Sequence, residues 1–218
     1  MSADSSTEPG PVVSGPVIPG PVIPGSVIPG SVVPEPSVGT RSAGMTLWLT
    51  GLPSAGKTTI ANALSARLAG RGRGHEILDG DAVRPVLSPE LGYSREDRDA
   101  NVARIGWVAK LLARQGTVVI ASVVSPFADA RDGVRQAHRE DGTKFAEIHV
   151  ATPVEICAER DVKGLYAKQR DGGMQGLTGI DGSYEPPINP ELRIDTSVQS
   201  LDSIIDDLVA YLHKESVL

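Results

Sequence analysis

Eight consecutive residues, Gly51-Leu52-Pro53-Ser54-Ala55-Gly56-Lys57-Thr58, constrain this chain more than any others. They fit Gly-x-x-x-x-Gly-Lys-Ser/Thr, a pattern that cradles phosphate only when a strand leads into it and a helix leads out. The flanks meet that condition, with an apolar run at 46–50 before the motif and a helix-like stretch at 57–69 after it. In such a loop the glycines let backbone N–H groups turn inward, and the helix N-terminus adds a favourable dipole. Lys57 then supplies charge for the β- and γ-phosphates, and Thr58 can hold Mg²⁺. Residues Gly51, Leu52, Pro53, Ser54, Ala55, Gly56, Lys57, Thr58 and Thr59 are therefore read as a nucleoside-triphosphate-binding loop.

The rest of the chain alternates short apolar runs with longer amphipathic stretches, the texture of an α/β protein with a parallel sheet. Strands are expected at 46–50, 76–79, 117–123, 145–150 and 192–195, and helices at 57–69, 98–115, 128–139, 154–160 and 201–213. In the 98–115 helix, Val102, Ile105, Val108, Ala109 and Leu112 mark the buried stripe, with Trp107 and Lys110 outside it. About 175 residues suffice for one core with helices on both faces of a five-stranded parallel sheet, so no second domain is needed. The first 44 residues differ in kind: PVVSG, PVIPG, PVIPG, SVIPG and SVVPE follow one another from Pro11 to Glu35. Proline or glycine at nearly every point of hydrogen-bonding need predicts a disordered tail, leaving residues 45–218 as the folded domain.

Composition narrows the setting. A net charge of −6, from 21 Lys and Arg against 27 Asp and Glu, argues against a nucleic-acid-binding surface. A single cysteine, Cys157, excludes an internal disulfide framework and favours a reducing compartment. No apolar stretch approaches the roughly 20 residues of a membrane span and no secretory leader is evident, so the expected location is the cytoplasm.

Among phosphate-binding chemistries, a GTP-driven switch is disfavoured by the lack of an Asn-Lys-x-Asp stretch, and a motor ATPase by the lack of an aspartate ending the 117–123 strand. A kinase remains, and it needs carboxylates near the transferred phosphate. Asp79-Gly80-Asp81 ends the strand after the loop helix, where ligands gather in parallel sheets, although Asp-Gly is equally a turn signal. One carboxylate could orient the metal and the other accept the acceptor hydroxyl's proton. Arg84, Arg98 and Asn101 could grip an anionic acceptor, the last two sharing a helix face; exposed arginines at a helix start are the simpler alternative. The basic stretch 159–170 runs into the glycine-rich 171–182, a composition suited to a lid that brings cations over the phosphates.

Taken in order, GLPSAGKTT, DGDAVR, LGYSREDRDAN, VVSPF, ERDVKGLYAKQR and GLTGIDGSYEPP resemble the adenylyl-sulfate (APS) kinases over residues 45–218. The resemblance implies the P-loop nucleotide-kinase fold, commonly a homodimer, and transfer of the γ-phosphate of Mg²⁺-bound ATP to the 3'-hydroxyl of adenosine 5'-phosphosulfate. It places Thr58, Asp79 and Asp81 near the metal, and Lys57, Asp79 and Asp81 at the chemistry. Arg84, Tyr93, Arg98, Asn101, Ser125, Lys163 and Leu177 fall on the acceptor side. Ser125 matches a family serine described as a phosphorylated intermediate, while a strand-end hydroxyl lining the pocket accounts for it as well. Three family positions differ here, Ala82 where asparagine is usual, Tyr93 where phenylalanine is usual and Leu177 where an aromatic stacks on the acceptor base; the alternatives are a paralogous kinase with another nucleotide-like anionic acceptor and a non-catalytic nucleotide-binding regulator.

Overall fold

The computed structural model describes residues 43–173 and 176–218, so the repeat-bearing tail lies outside the described residues. Five parallel strands form one sheet: β1 (Met45–Thr50), β2 (His75–Asp79), β3 (Val118–Ser122), β4 (Lys144–Val150) and β5 (Leu192–Ile194). Their spatial order is β2-β3-β1-β4-β5. Strand β1 is fully buried because it pairs with β3 on one side and β4 on the other, and every residue of MTLWLT sits in the core. A strand covered on both faces reads as a continuous apolar run.

Seven helices are described: α1 (Lys57–Ala69), α2 (Gly80–Leu87), α3 (Arg95–Arg114), α4 (Ala128–Asp141), α5 (Val154–Arg160), α6 (Leu165–Arg170) and α7 (Leu201–Lys214). Leu47, Leu49, Val118 and Ile120 pack with Ile60 and Leu64 of α1 and Leu208 of α7 on one face of the sheet. Trp48, Val119 and Ala121 pack with Val102, Ile105 and Ala109 of α3 and Val134 of α4 on the other. The expected sheet, its strands and its two covered faces are thus present, with ends shifted by a few residues.

Two helices were not expected. Asp79-Gly80-Asp81 is no turn: Asp79 caps α2, its Oδ1 accepting from the Asp81 N–H at 3.0 Å. Gly80 at the first position and Pro85 inside conceal this helix from propensity, since both residues disfavour helix interiors. Helix α6 is only six residues long and is capped from a distance by Asp161, whose carboxylate accepts from Tyr166 N and Ala167 N. Helix α3 starts three residues early because Ser94 caps it, its hydroxyl accepting from Asp97 N. Its buried face is Asn101, Val102, Ile105, Gly106, Ala109 and Ala113, with Val108 and Leu112 half-buried at the edge. Trp107 is exposed, as the stripe implied. No helix among the described residues is long and apolar enough to cross a membrane.

Candidate active site

A cavity of about 700 Å³ opens at the carboxyl ends of β1, β2 and β3, the edge where α/β sheets gather ligands. Its floor is the loop between β1 and α1. A Cβ on Gly51 would lie 2.4 Å from the Val150 carbonyl oxygen, so only glycine lets the chain turn this close to β4. Gly56 has φ near +103° and opens α1 without a side-chain cap, which leaves the first amide N–H groups of the helix available to an anion. Lys57 is buried, and its Nζ donates to the carbonyls of Gly51 at 3.0 Å and Leu52 at 2.8 Å. Burial, and then the charge of Lys163, push its pKa down to about 8. The carbonyls hold the ammonium over the loop, poised for a negative ligand.

The carboxylates stand beside it. Thr58 Oγ1 donates to Asp79 Oδ2 at 2.7 Å, joining the start of α1 to the end of β2. Asp79 thus holds the loop threonine with one oxygen and caps α2 with the other. Asp81, in the first turn of α2, pairs with Lys163 Nζ, so this cation sits against α2 at the cavity wall. A hydroxyl and one carboxylate, both hard oxygen donors next to a phosphate cradle, fit Mg²⁺, which takes one or two protein ligands and completes its shell with water and phosphate.

Opposite the loop, Arg84, Tyr93, Arg98 and Asn101 converge on the same cavity. The Arg84 guanidinium lies 4.5 Å from the Tyr93 ring centroid and that of Arg98 5.6 Å, so the ring steadies two cations. Arg84 donates to the Leu91 and Gly92 carbonyls, and Arg98 Nε to the Tyr93 carbonyl at 2.8 Å. Arg98 also reaches the glycine-rich segment, donating to Thr178 Oγ1 and the Gly176 carbonyl, both at 3.1 Å. Burial and neighbouring Arg84 lower its pKa. Asn101 is buried, and its Oδ1 has no partner among the described residues.

One expected contact, Leu177, and one departure from the family pattern, Ala82, both fall outside the cavity wall. Leu177 does not line the cavity: it is buried in the core against the α1 face, its N–H held at 2.7 Å by Asp181 Oδ1. In this arrangement it offers no surface to an acceptor base. Ala82 is exposed on α2 and also away from the cavity walls, so its departure from the family pattern falls outside the pocket.

Ser125 lines the cavity from a loop with φ near +39°, yet its side chain is already engaged. Its Oγ accepts from Trp48 Nε1 at 3.0 Å and donates to Thr50 Oγ1 at 3.0 Å. Thr50 in turn donates to the Val124 carbonyl and lies 3.2 Å from the Tyr184 hydroxyl. Buried Arg131 ties the loop down through the Ser125 and Glu185 carbonyls and Glu147 Oε1. Trp48, Thr50, Arg131, Tyr184 and Thr178 escaped sequence reasoning. Only Trp48 left a signal, a large side chain with a polar N–H in the middle of a buried strand.

A parallel sheet of this order, a Gly-x-x-x-x-Gly-Lys-Thr loop after its central strand, a capping carboxylate at the end of β2 two strands away and a lysine reaching the first turn of α2 define a P-loop phosphotransferase. Residues 43–195 match the family model for adenylylsulphate kinase, and the chain belongs to that family. An adenylyl-sulfate kinase of Rippkaea orientalis is 49% identical over 167 residues, covering 76% of this chain and 89% of the relative. The Mycobacterium tuberculosis APS kinase solved with AMPPNP and APS superposes with a TM-score of 0.76 at 38% identity, over 78% of this chain and 98% of that one. A hexameric APS kinase from Thiobacillus denitrificans gives a TM-score of 0.61 at 36% identity, covering 82% of this chain and 30% of that one.

Proposed function

We propose that the protein transfers the γ-phosphate of ATP to the 3'-hydroxyl of adenosine 5'-phosphosulfate, forming 3'-phosphoadenosine 5'-phosphosulfate for sulfate assimilation in the cytoplasm. Residues 45–218 form the catalytic domain, apart from the repeat tail at 1–44, and act as a homodimer. The observation that carries this reading is one cavity lined by Lys57, Thr58, Asp79 and Asp81 on one side and Arg84, Tyr93, Arg98 and Asn101 on the other.

The loop 51–59 binds the ATP phosphates, and Lys57 moves from its carbonyl perches to the β- and γ-phosphates. Thr58 and Asp79, with Asp81 nearby, would hold Mg²⁺, which would supply neutralisation of the charge developing on the transferred phosphoryl group. Arg84 and Arg98 meet the phosphosulfate, Tyr93 stacks on the acceptor base and Asn101 offers its free amide oxygen. Asp81 accepts the proton of the 3'-hydroxyl once Lys163 shifts to the phosphates, a modest contribution beside positioning and electrostatics because the transition state is loose. Ser125 shapes the acceptor wall rather than forming a covalent intermediate, since its hydroxyl already donates to Thr50 and accepts from Trp48. Leu177 supports the lid from within the core.

The test incubates full-length protein with Mg²⁺-ATP and a panel of acceptors that includes adenosine 5'-phosphosulfate. Formation of the 3'-phosphorylated product, with ADP in equal amount, is expected. Turnover of a different anionic nucleotide in its place refutes the assignment.

A further inference from the structure

The end of β3 carries a hydroxyl that the reading above leaves unused. Ser122 is 4% exposed, and its Oγ is buried with no hydrogen-bond partner among the described residues. A fold gains nothing from such a group, because alanine would fill the position without an unsatisfied donor. Its neighbours indicate what the hydroxyl serves. Side chains alternate along a strand, and Val118 and Ile120 pack in the α1-facing core, so Ser122 points to the α1 face. Across the ladder it pairs with Asp79, the residue whose carboxylate holds Thr58. Paired residues of neighbouring strands stand side by side on one face, with Cβ atoms roughly 5 Å apart. Ser122, Asp79, Thr58 and Lys57 all line the same cavity.

We infer that Ser122 is a positioning residue of the metal–nucleotide site: its hydroxyl oxygen would accept a hydrogen bond from a water in the Mg²⁺ shell. This is the strand end where motor ATPases carry an aspartate, and here a neutral hydroxyl takes the place of that charge. Asp79, on the adjacent strand, supplies the carboxylate. Outer-shell partners orient the ligands they touch, and their loss typically weakens metal binding about tenfold or more.

The inference rests on the cavity being a Mg²⁺-nucleotide site, and the test separates the two. Mn²⁺ replaces Mg²⁺ as a paramagnetic probe, and its binding to the full chain saturated with ADP is titrated by electron paramagnetic resonance. Ser122→Ala should weaken Mn²⁺ binding about tenfold. ADP affinity in EDTA should match that of the parent, and the unliganded variant should melt no lower. Equal Mn²⁺ affinity in parent and variant overturns the role of Ser122 alone. Equal losses of ADP affinity with and without metal also overturn it, because they indicate a general packing defect. Failure of the parent to bind Mn²⁺ with ADP overturns the metal–nucleotide reading and this inference with it.

Discussion

Lys57 should take up a proton when ATP binds. In the unliganded protein its pKa falls from 10.5 to about 8, first because it is buried and second because Lys163 lies near. That difference corresponds to about 3 kcal/mol, carried as a cost whenever the folded protein holds the ammonium. Below pH 8 both folded and unfolded chains carry the charge, and the cost is fully present. Between pH 8 and 10.5 only the unfolded chain holds the proton, so this lysine makes stability rise with pH across that window. Phosphates beside Nζ reverse the balance by favouring the charged form. Binding should therefore draw in about 0.1 proton at pH 7, about half at pH 8 and about 0.9 at pH 9. ATP affinity should be full below pH 8 and weaken by up to about tenfold per pH unit above it. Calorimetry with a non-hydrolysable ATP analogue, repeated in buffers of different ionisation enthalpy, reads the uptake directly. The Lys57→Arg variant cannot lose its charge and provides the baseline. Uptake at pH 8 that is the same for parent and Lys57→Arg would refute the reasoning.

Other outcomes follow from particular contacts. Asp81→Asn should lower kcat by about a hundredfold or more while leaving ATP affinity within a few-fold, a split that steady-state kinetics and calorimetry resolve. Ser125→Ala should retain kcat of the same order, and the parent should show no added phosphate by intact mass after incubation with ATP. The same variant should lose about 1–2 kcal/mol of stability, because Trp48 Nε1 is left unpaired in the core. Arg131→Met removes the nearer of two arginines from the buried carboxylate of Glu147, Arg131 Nε at 2.6 Å, leaving Arg135 Nη2 at 3.3 Å, and should cost about 3 kcal/mol in urea unfolding.

The most legible features were those set by local pattern. Strands β1 and β3 are apolar apart from Thr46, Thr50 and Ser122 because both sheet faces are covered, and they read as strands from the sequence. Helices α1, α4 and α7 carry helical periodicity and clear ends, and they fall where expected. Helix α2 was hidden because its stability comes from a cap supplied by the last residue of β2, while its own Gly80 and Pro85 argue against it. Helix α6 was hidden for the same reason, its cap being a carboxylate four residues upstream of its start.

The candidate site divides in a similar way. Gly51 to Thr58 announced a phosphate cradle because loop, strand and helix are contiguous in the chain, so spacing alone specifies their geometry. The neighbourhood of Asp79, Arg98 and Lys163 was suggested by a strand end, a shared helix face and a basic, glycine-rich composition, each with a simpler alternative, and the ordered motifs resembling a family chose between them. What tertiary structure decided was which polar groups are spent and which are free. Ser125 is engaged by Trp48 and Thr50, residues 77 and 75 positions away, and Leu177 is drawn into the core. Among the described residues, Ser122 and Asn101 are left with unpartnered oxygens at the cavity wall. No local pattern reports such pairings, because the partners meet only when strands and helices pack, and a hydroxyl's availability depends on every group that packing brings within reach.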